Sequence, residues 1–196
     1  MLVFALGIKA VGKSRVIAEL NRLGAGIREV SYGDVMLEIA KKEAGLGDRE
    51  EIAKLPAAKQ NAIRDAAAKA IRETADKERL VFLNTHGFIY TIPHHTYLPG
   101  SPDAVSDILR PDMLLLVEAS PEAIIERRER DLAAGRRREV GSVEEVSTAL
   151  FSERVAAIHL ATRFGAQLKF FDNTLPVERN SDAVASLAQL FKTLDR

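Results

Sequence analysis

Five short apolar runs punctuate the chain, at residues 2–6, 27–30, 80–83, 113–117 and 167–171, and longer stretches of helical spacing separate them. That alternation predicts a five-stranded parallel sheet with helices on both faces, a doubly wound α/β fold. Four of the five runs lack polar alternation, as strands covered on both faces do. Helix starts are marked at Asp48 with Glu51, Ser101-Pro102, Ser120-Pro121 and Ser142 with Glu145. Gly165 ends the pattern that begins at Ser142, the alanine-rich stretch 57–75 is strong helix former, and residues 181–194 close the chain as an amphipathic helix. No repeat, low-complexity tract or proline-rich linker interrupts the pattern, so one domain over residues 1–196 is expected.

Composition narrows the class of partner. At 46% hydrophobic and 29% charged residues the chain reads as an ordinary globular protein. Lys plus Arg and Asp plus Glu both number 28, so no overall basic field points to nucleic acid as the main ligand, and any anion site is local. The absence of cysteine excludes disulfides, a thiol nucleophile and Cys-ligated zinc, and fits a reducing, cytoplasmic setting. The apolar start, residues 1–6, is too short for a signal peptide or a membrane span, and no membrane partner is expected.

The chemistry begins at the end of the first strand. Gly7, Ile8, Lys9, Ala10, Val11, Gly12, Lys13 and Ser14 spell glycine, four residues, then Gly-Lys-Ser, between an expected strand and an expected helix. Phosphates need converging backbone N–H donors, which a tightly turned loop at a helix N-terminus provides. Gly7 and Gly12 permit the turn, Lys13 reaches β- and γ-phosphates, and the Ser14 hydroxyl ligates magnesium. Lys9 and Ala10 stand where many kinase loops have Pro-Gly, and Lys9 is read as a solvated or phosphate-proximal charge.

Beyond this loop the chain resembles the archaeal-type adenylate kinases along nearly its whole length. Tyr32-Gly33-Asp34-Val35-Met36 is similar to that family's Tyr/Phe-Gly-x-x-Met element. Asp48-Arg49-Glu50 with Lys54-Leu55 resembles its Asp-Arg-Asp-x-x-Arg-Lys-Leu segment. Asn84-Thr85-His86 resembles Asp-Thr-His, and Tyr97-Leu98-Pro99-Gly100-x-Pro102 resembles Tyr-Leu-Pro-Gly-x-Pro. The resemblance implies a nucleoside-monophosphate-kinase-like fold with a short lid at about 135–141, and an acceptor region at about 32–60. It implies transfer from ATP to AMP giving two ADP, magnesium held by Ser14 and, through water, by Asn84, and a homo-oligomer, a trimer. Tyr32, Gly33, Met36, Arg49, Thr85, His86, Tyr97 and Gly100 become candidate acceptor-site residues. Three departures stand out: Asn84 replaces the strand-end Asp, Ala53 replaces an arginine, and Tyr90 replaces a basic residue. The segment 92–96 is also two residues longer than the family's spacing.

Arg127, Arg128, Arg130, Arg136, Arg137 and Arg138 form the strongest local field, at the junction of two expected helices where nucleotide kinases place a lid. Arg136 and Arg138 match the family's Arg-x-Arg, and with Arg128 and Lys13 they are the candidate catalytic residues. His94 and His95 lack a metal-ligand spacing and read as loop residues, His86 lies at the ligand edge, and His159 reads as packing. Asp112 and Glu118 read as loop or helix-start partners rather than bases, because an ionised acceptor phosphate needs little base catalysis. A GTPase-type switch would need an Asn-Lys-x-Asp or Thr-Lys-x-Asp element and an Asp-x-x-Gly after the third strand, and the chain has neither. An RNA-associated factor using the arginines, and kinase chemistry on another monophosphate or a small metabolite, are the remaining alternatives.

Overall fold

The computed structural model describes residues 1–91, 96–136, 139–175 and 177–194, with the side chains of residues 49, 50, 91 and 178 excepted. Arg137, Arg138, His94 and His95 therefore lie outside the described residues. The five expected runs form one parallel sheet: β1 (Leu2–Leu6), β2 (Arg28–Ser31), β3 (Val81–Asn84), β6 (Met113–Glu118) and β7 (Gln167–Asp172). Its order is β2-β3-β1-β6-β7. β1 is buried at every residue because it is flanked on both sides, whereas β2 and β7 are edges and leave most of their side chains partly or fully exposed. Between them run α1 (Lys13–Arg22), α2 (Tyr32–Ala44), α3 (Arg49–Ala53), α4 (Ala57–Lys77), α5 (Asp103–Leu109), α6 (Pro121–Ala133), α7 (Val143–Phe164) and α8 (Ser181–Thr193).

Period-two alternation sorts each strand onto two apolar layers. Val3, Ala5, Phe82 and Leu115 face α1 and α8, while Leu2, Phe4, Leu83 and Leu114 face α4 and α5. Phe82 meets Phe191 of α8 edge to face, with ring centroids 4.8 Å apart. Removing a fully buried ring such as Phe4 costs about 3–5 kcal/mol. Three of the helix signals hold: Ser142 and Glu145 make a reciprocal capping box, Ser120 caps through Ala123 N–H, and Gly165 ends α7 in the left-handed region at φ 61°. Ser101 does not cap α5. Pro102 occupies that position, and the Ser101 hydroxyl is drawn to the His86 carbonyl instead.

One strand pair was not among the five expected runs. β4 (Phe88–Thr91) and β5 (Thr96–Pro99) pair antiparallel as a hairpin separate from the main sheet, in register from Phe88↔Pro99 to Thr91↔Thr96. Its aromatics stabilise it across strands: the Tyr97 ring lies 5.0 Å from Tyr90 and 6.2 Å from Phe88. His159 also departs from its expectation. It is exposed on α7 and hydrogen-bonds Asp103 at 3.1 Å, because it falls on the solvent stripe of the helix. Asp112 and Glu118 are structural partners: the former accepts from Leu2 N–H at 2.6 Å and the latter pairs with Arg154 at 2.7 Å.

Candidate phosphate-binding site

At the carboxyl end of β1 the chain turns through backbone that side chains rarely allow. Gly7 has φ 143° and Gly12 has φ 97°. A Cβ at Gly7 would stand 2.5 Å from the Val117 carbonyl oxygen, and one at Gly12 would stand 2.4 Å from Asn173 Nδ2. Glycine is thus required by space as well as by torsion. Gly12 is the N-cap residue of α1, so Lys13 opens the helix and its axis aims positive at the loop. Lys13 is buried and its ammonium donates to the Gly7 and Ile8 carbonyls of its own loop. Burial pulls its pKa from the usual 10.5 down to about 8, against the opposing pull of Glu153 and Glu29.

The loop is clamped from outside by Glu153 and Asn173, which the sequence pattern did not single out, and by two arginines of the cluster that it did. Glu153 of α7, 1% exposed, accepts from Gly7 N–H at 2.9 Å, Gly87 N–H at 3.0 Å and Phe88 N–H at 2.9 Å. One carboxylate thereby joins the phosphate loop to the start of the hairpin. Burial pushes the Glu153 carboxyl above the usual range, while those amides and Lys13 favour its charged form. Arg127 donates to the Val11, Asn173 and Thr174 carbonyls, and Asn173 Nδ2 donates to Val11 at 2.9 Å. Arg128 is buried and bridges the Val140 and Lys9 carbonyls at 2.9 and 3.5 Å, so it ties the helix junction to the loop.

Beside the loop, Ser14, Glu29 and Asn84 converge from α1, β2 and β3. Ser14 Oγ donates to Glu29 Oε1 at 3.0 Å, and Asn84 Nδ2 donates to Ser14 Oγ at 3.0 Å and to Glu29 Oε1 at 3.1 Å. The Ser14 hydroxyl and the Glu29 carboxylate are hard oxygen groups of the kind that suits a magnesium ion, whereas the Asn84 nitrogen is a donor that does not. Among the described residues no three His, Cys, Asp or Glu side chains gather in a metal-holding group.

The candidate acceptor residues divide into two groups. Thr85, His86 and Gly100 are tied together: Thr85 Oγ1 and Ser101 Oγ are 3.2 Å apart, Gly100 N–H donates to Gly87 at 2.9 Å, and a Cβ at Gly100 would meet the His86 carbonyl oxygen at 2.4 Å. Tyr97 is exposed on the adjoining hairpin. Tyr32 and Gly33 open α2, and Met36 lies one turn on. The Tyr32 ring is buried in the second apolar layer and its hydroxyl donates to the Arg64 carbonyl at 3.4 Å, so much of its role is packing. Arg49 opens α3. Arg136 is exposed and pairs with Asp131 of α6 at 3.0 Å, just beyond the end of that helix. Lys9 is exposed, in line with its reading as a solvated charge.

Comparison with known proteins decides the family. The chain is 36% identical to the adenylate kinase of Methanopyrus kandleri over 98% of both chains. It is 37% identical to that of Methanocaldococcus jannaschii, over 88% of this chain and 89% of the relative. The chain belongs to the archaeal-type adenylate kinase family. A family model described as an AAA domain also matches residues 6–147, the stretch from the phosphate loop into α7. The fold is shared more widely: TT1252 from Thermus thermophilus superposes with a TM-score of 0.57 at 19% identity, covering 100% of this chain and 98% of that one. Membership accounts for the P-loop and the Thr85-His86 and Tyr97–Gly100 segments, and the clamp by Glu153 is what the family motifs quoted above do not contain. A signal for it existed. Glu153 interrupts the buried stripe Val146, Ala149, Ala156, Ala157 and Leu160, and a lone acid on such a stripe needs partners.

Proposed function

We propose that the chain transfers the γ-phosphoryl group of ATP to AMP, giving two ADP, as a magnesium-dependent enzyme. The observation that carries this reading is the near-full-length likeness to adenylate kinases, joined to a complete phosphate loop on β1 and α1. In this reading residues 1–196 are one kinase domain. Residues 7–14 wrap the donor phosphates, and Lys13 leaves its own loop carbonyls to meet the β- and γ-oxygens. Thr85, His86, Tyr97 and Gly100, with Tyr32, Gly33, Met36 and Arg49, frame the acceptor. Ser14 would hold magnesium, with Asn84 at the edge of its site, and the metal when bound neutralises charge on the β- and γ-phosphates.

Residues 135–141 act as the lid. Gly135 and Gly141 have φ of 78° and 76° and bracket the arginines, giving closure two backbone pivots. Arg136 gives up only an exposed ion pair when it swings inward, worth about 0–1 kcal/mol. Its fork, and that of Arg138, then bridges oxygens of the transferring group, while Arg128 holds the lid's Val140 end to the loop. The absence of cysteine and of any described helix long and apolar enough to cross a membrane supports a cytoplasmic setting. Phe151, Val155 and Ile158 are exposed on one side of α7 and support a homo-oligomer, a trimer in this reading, which sedimentation tests.

A phosphotransfer panel with ATP constant and each nucleoside monophosphate offered in turn tests the activity. AMP is expected to be the best acceptor. Clear preference for another monophosphate would move the assignment to a different acceptor, where Ala53 and Tyr90 depart from the family, and no transfer to any would overturn it.

A further inference from the structure

The strand-end position that carries Asp in the family motif carries Asn84 here, yet the site does not lack a carboxylate. We infer that Glu29, from the neighbouring strand β2, supplies the acidic group that serves the magnesium ion beside Ser14, and that Asn84 positions it. This rests on the magnesium-dependent transfer proposed above.

Three observations carry it. Glu29 Oε1 is 3.0 Å from Ser14 Oγ, the hydroxyl that the phosphate-loop pattern assigns to the metal. Asn84 presents its amide nitrogen, not its oxygen, to Ser14 and to Glu29, at 3.0 and 3.1 Å. An N–H donor neither ligates a cation nor accepts from a metal-bound water, so the group that Asn84 aims at the cluster cannot do the work of the Asp. It does something else: it fixes Glu29 Oε1 against Ser14 while Oε2 takes part in none of these bonds. Finally, the Glu29 charge is felt by Lys13, which places it in the field of the phosphates the loop would hold.

The register explains why a glutamate is suited to this. In the β2–β3 ladder Ser31 lies opposite Asn84, and Glu29 lies two residues earlier, opposite Phe82. Residues two apart on a strand share a face, so Glu29 starts about 7 Å further from the carboxyl edge and needs the longer side chain to reach it. As an edge strand, β2 leaves Glu29 exposed. A carboxylate accepts from metal-bound water more strongly than an amide because it carries charge.

The test measures metal binding, not turnover. Mn²⁺ is titrated by electron paramagnetic resonance into the parent, Glu29→Gln, Asn84→Asp and the double variant, each saturated with a non-hydrolysable ATP analogue, and Mg²⁺ competition gives its affinity. Glu29→Gln should weaken metal affinity by about 10-fold or more, the usual scale for losing such a partner. Asn84→Asp alone should change it little, because a second acid beside Glu29 brings repulsion with it. The double variant should recover most of the loss, since the acid is restored at the other strand. Analogue binding without metal should not weaken in Glu29→Gln, and unchanged melting curves establish that each variant folds. Metal affinity of Glu29→Gln within about twofold of the parent, or a double variant no better than Glu29→Gln, overturns the inference while leaving the magnesium reading intact. A parent–analogue complex that binds neither metal overturns the magnesium reading and the inference with it.

Discussion

The phosphate loop and the arginine-bearing connection between α6 and α7 both carry positive charge, which the proposed function brings to the same phosphates, but Arg136 and the loop are held in opposite ways. The loop is fixed in advance: Glu153, Arg127, Arg128 and Asn173 all hydrogen-bond its backbone, and Lys13 is buried within it. Arg136 of the connection is exposed and pairs with Asp131 near the end of α6, and it lies between two glycines with positive φ. A group that must be ready before the nucleotide arrives is best preorganised, because no reorganisation is then needed at the moment of binding. A group that must let nucleotide enter and then exclude water has to move, and cheap surface pairs allow that.

The comparison breaks most sharply at Lys13. Lys13→Ala is expected to lower kcat by about a thousandfold with the melting temperature held, since a phosphate contact is lost and no apolar core atom is removed. An unimpaired rate, or an unfolded product, would count against the loop's assigned role. Arg136→Ala and Arg138→Ala should each lower kcat by at least about a hundredfold while ATP binding to the open enzyme changes far less, a modest share of what charge-supplying arginines contribute in related chemistry. Single-turnover rates within about threefold of the parent for both would return the cluster to the solvated surface.

Glu153→Gln probes the clamp itself. It places an amide donor among the Gly7, Gly87 and Phe88 N–H groups, so a loss of about 1–3 kcal/mol in stability is expected from denaturant unfolding. A kcat decrease of about tenfold should accompany it, with Glu153→Asp recovering part of that rate if the carboxylate, rather than the bulk of the side chain, positions the loop. Equal stability in Glu153→Gln would show that the clamp is dispensable.

The smallest effect concerns protons. Lys13 has its pKa lowered to about 8, so it is charged below that value and neutral above it in the free enzyme, while the unfolded chain keeps the proton to about 10.5. Between those values the unfolded state binds more protons, and the lysine's contribution makes stability rise with pH; below about 8 that contribution is lost. Phosphate arriving beside Lys13 favours its charged form. Calorimetry in buffers of differing ionisation heat, at pH above about 8, should therefore show proton uptake on ATP binding, and Lys13→Ala should abolish it.

Much of this site could be read from residue order, because its chemistry is local. The apolar runs placed β1, β3, β6 and β7 to within a residue or so at most ends, and the Gly-Lys-Ser spacing marked the loop, since strand, tight turn and helix are consecutive. The Ser142 box and Gly165 cap were equally legible, each being a contact within a few residues. The pairing of 88–91 with 96–99 was missed because its alternation is short and its stabilising ring contacts join residues of two different strands. His159 was misassigned for a related reason: a helical pattern gives a period, not which stripe faces water.

Which groups stand side by side across the sheet is set by the packing of the whole chain. Glu153 is 146 residues from Gly7, Asn84 is 70 from Ser14, and Asn173 is 162 from Val11, so no window of sequence contains both partners. Residue order alone was enough for the strands of the main sheet, the phosphate loop, its helix and the family they belong to, because each is set by neighbours along the chain. The clamp under the loop and the carboxylate beside Ser14 exist only once parallel crossovers bring β1, β2, β3 and α7 to one edge, where a single charge serves donors from distant segments.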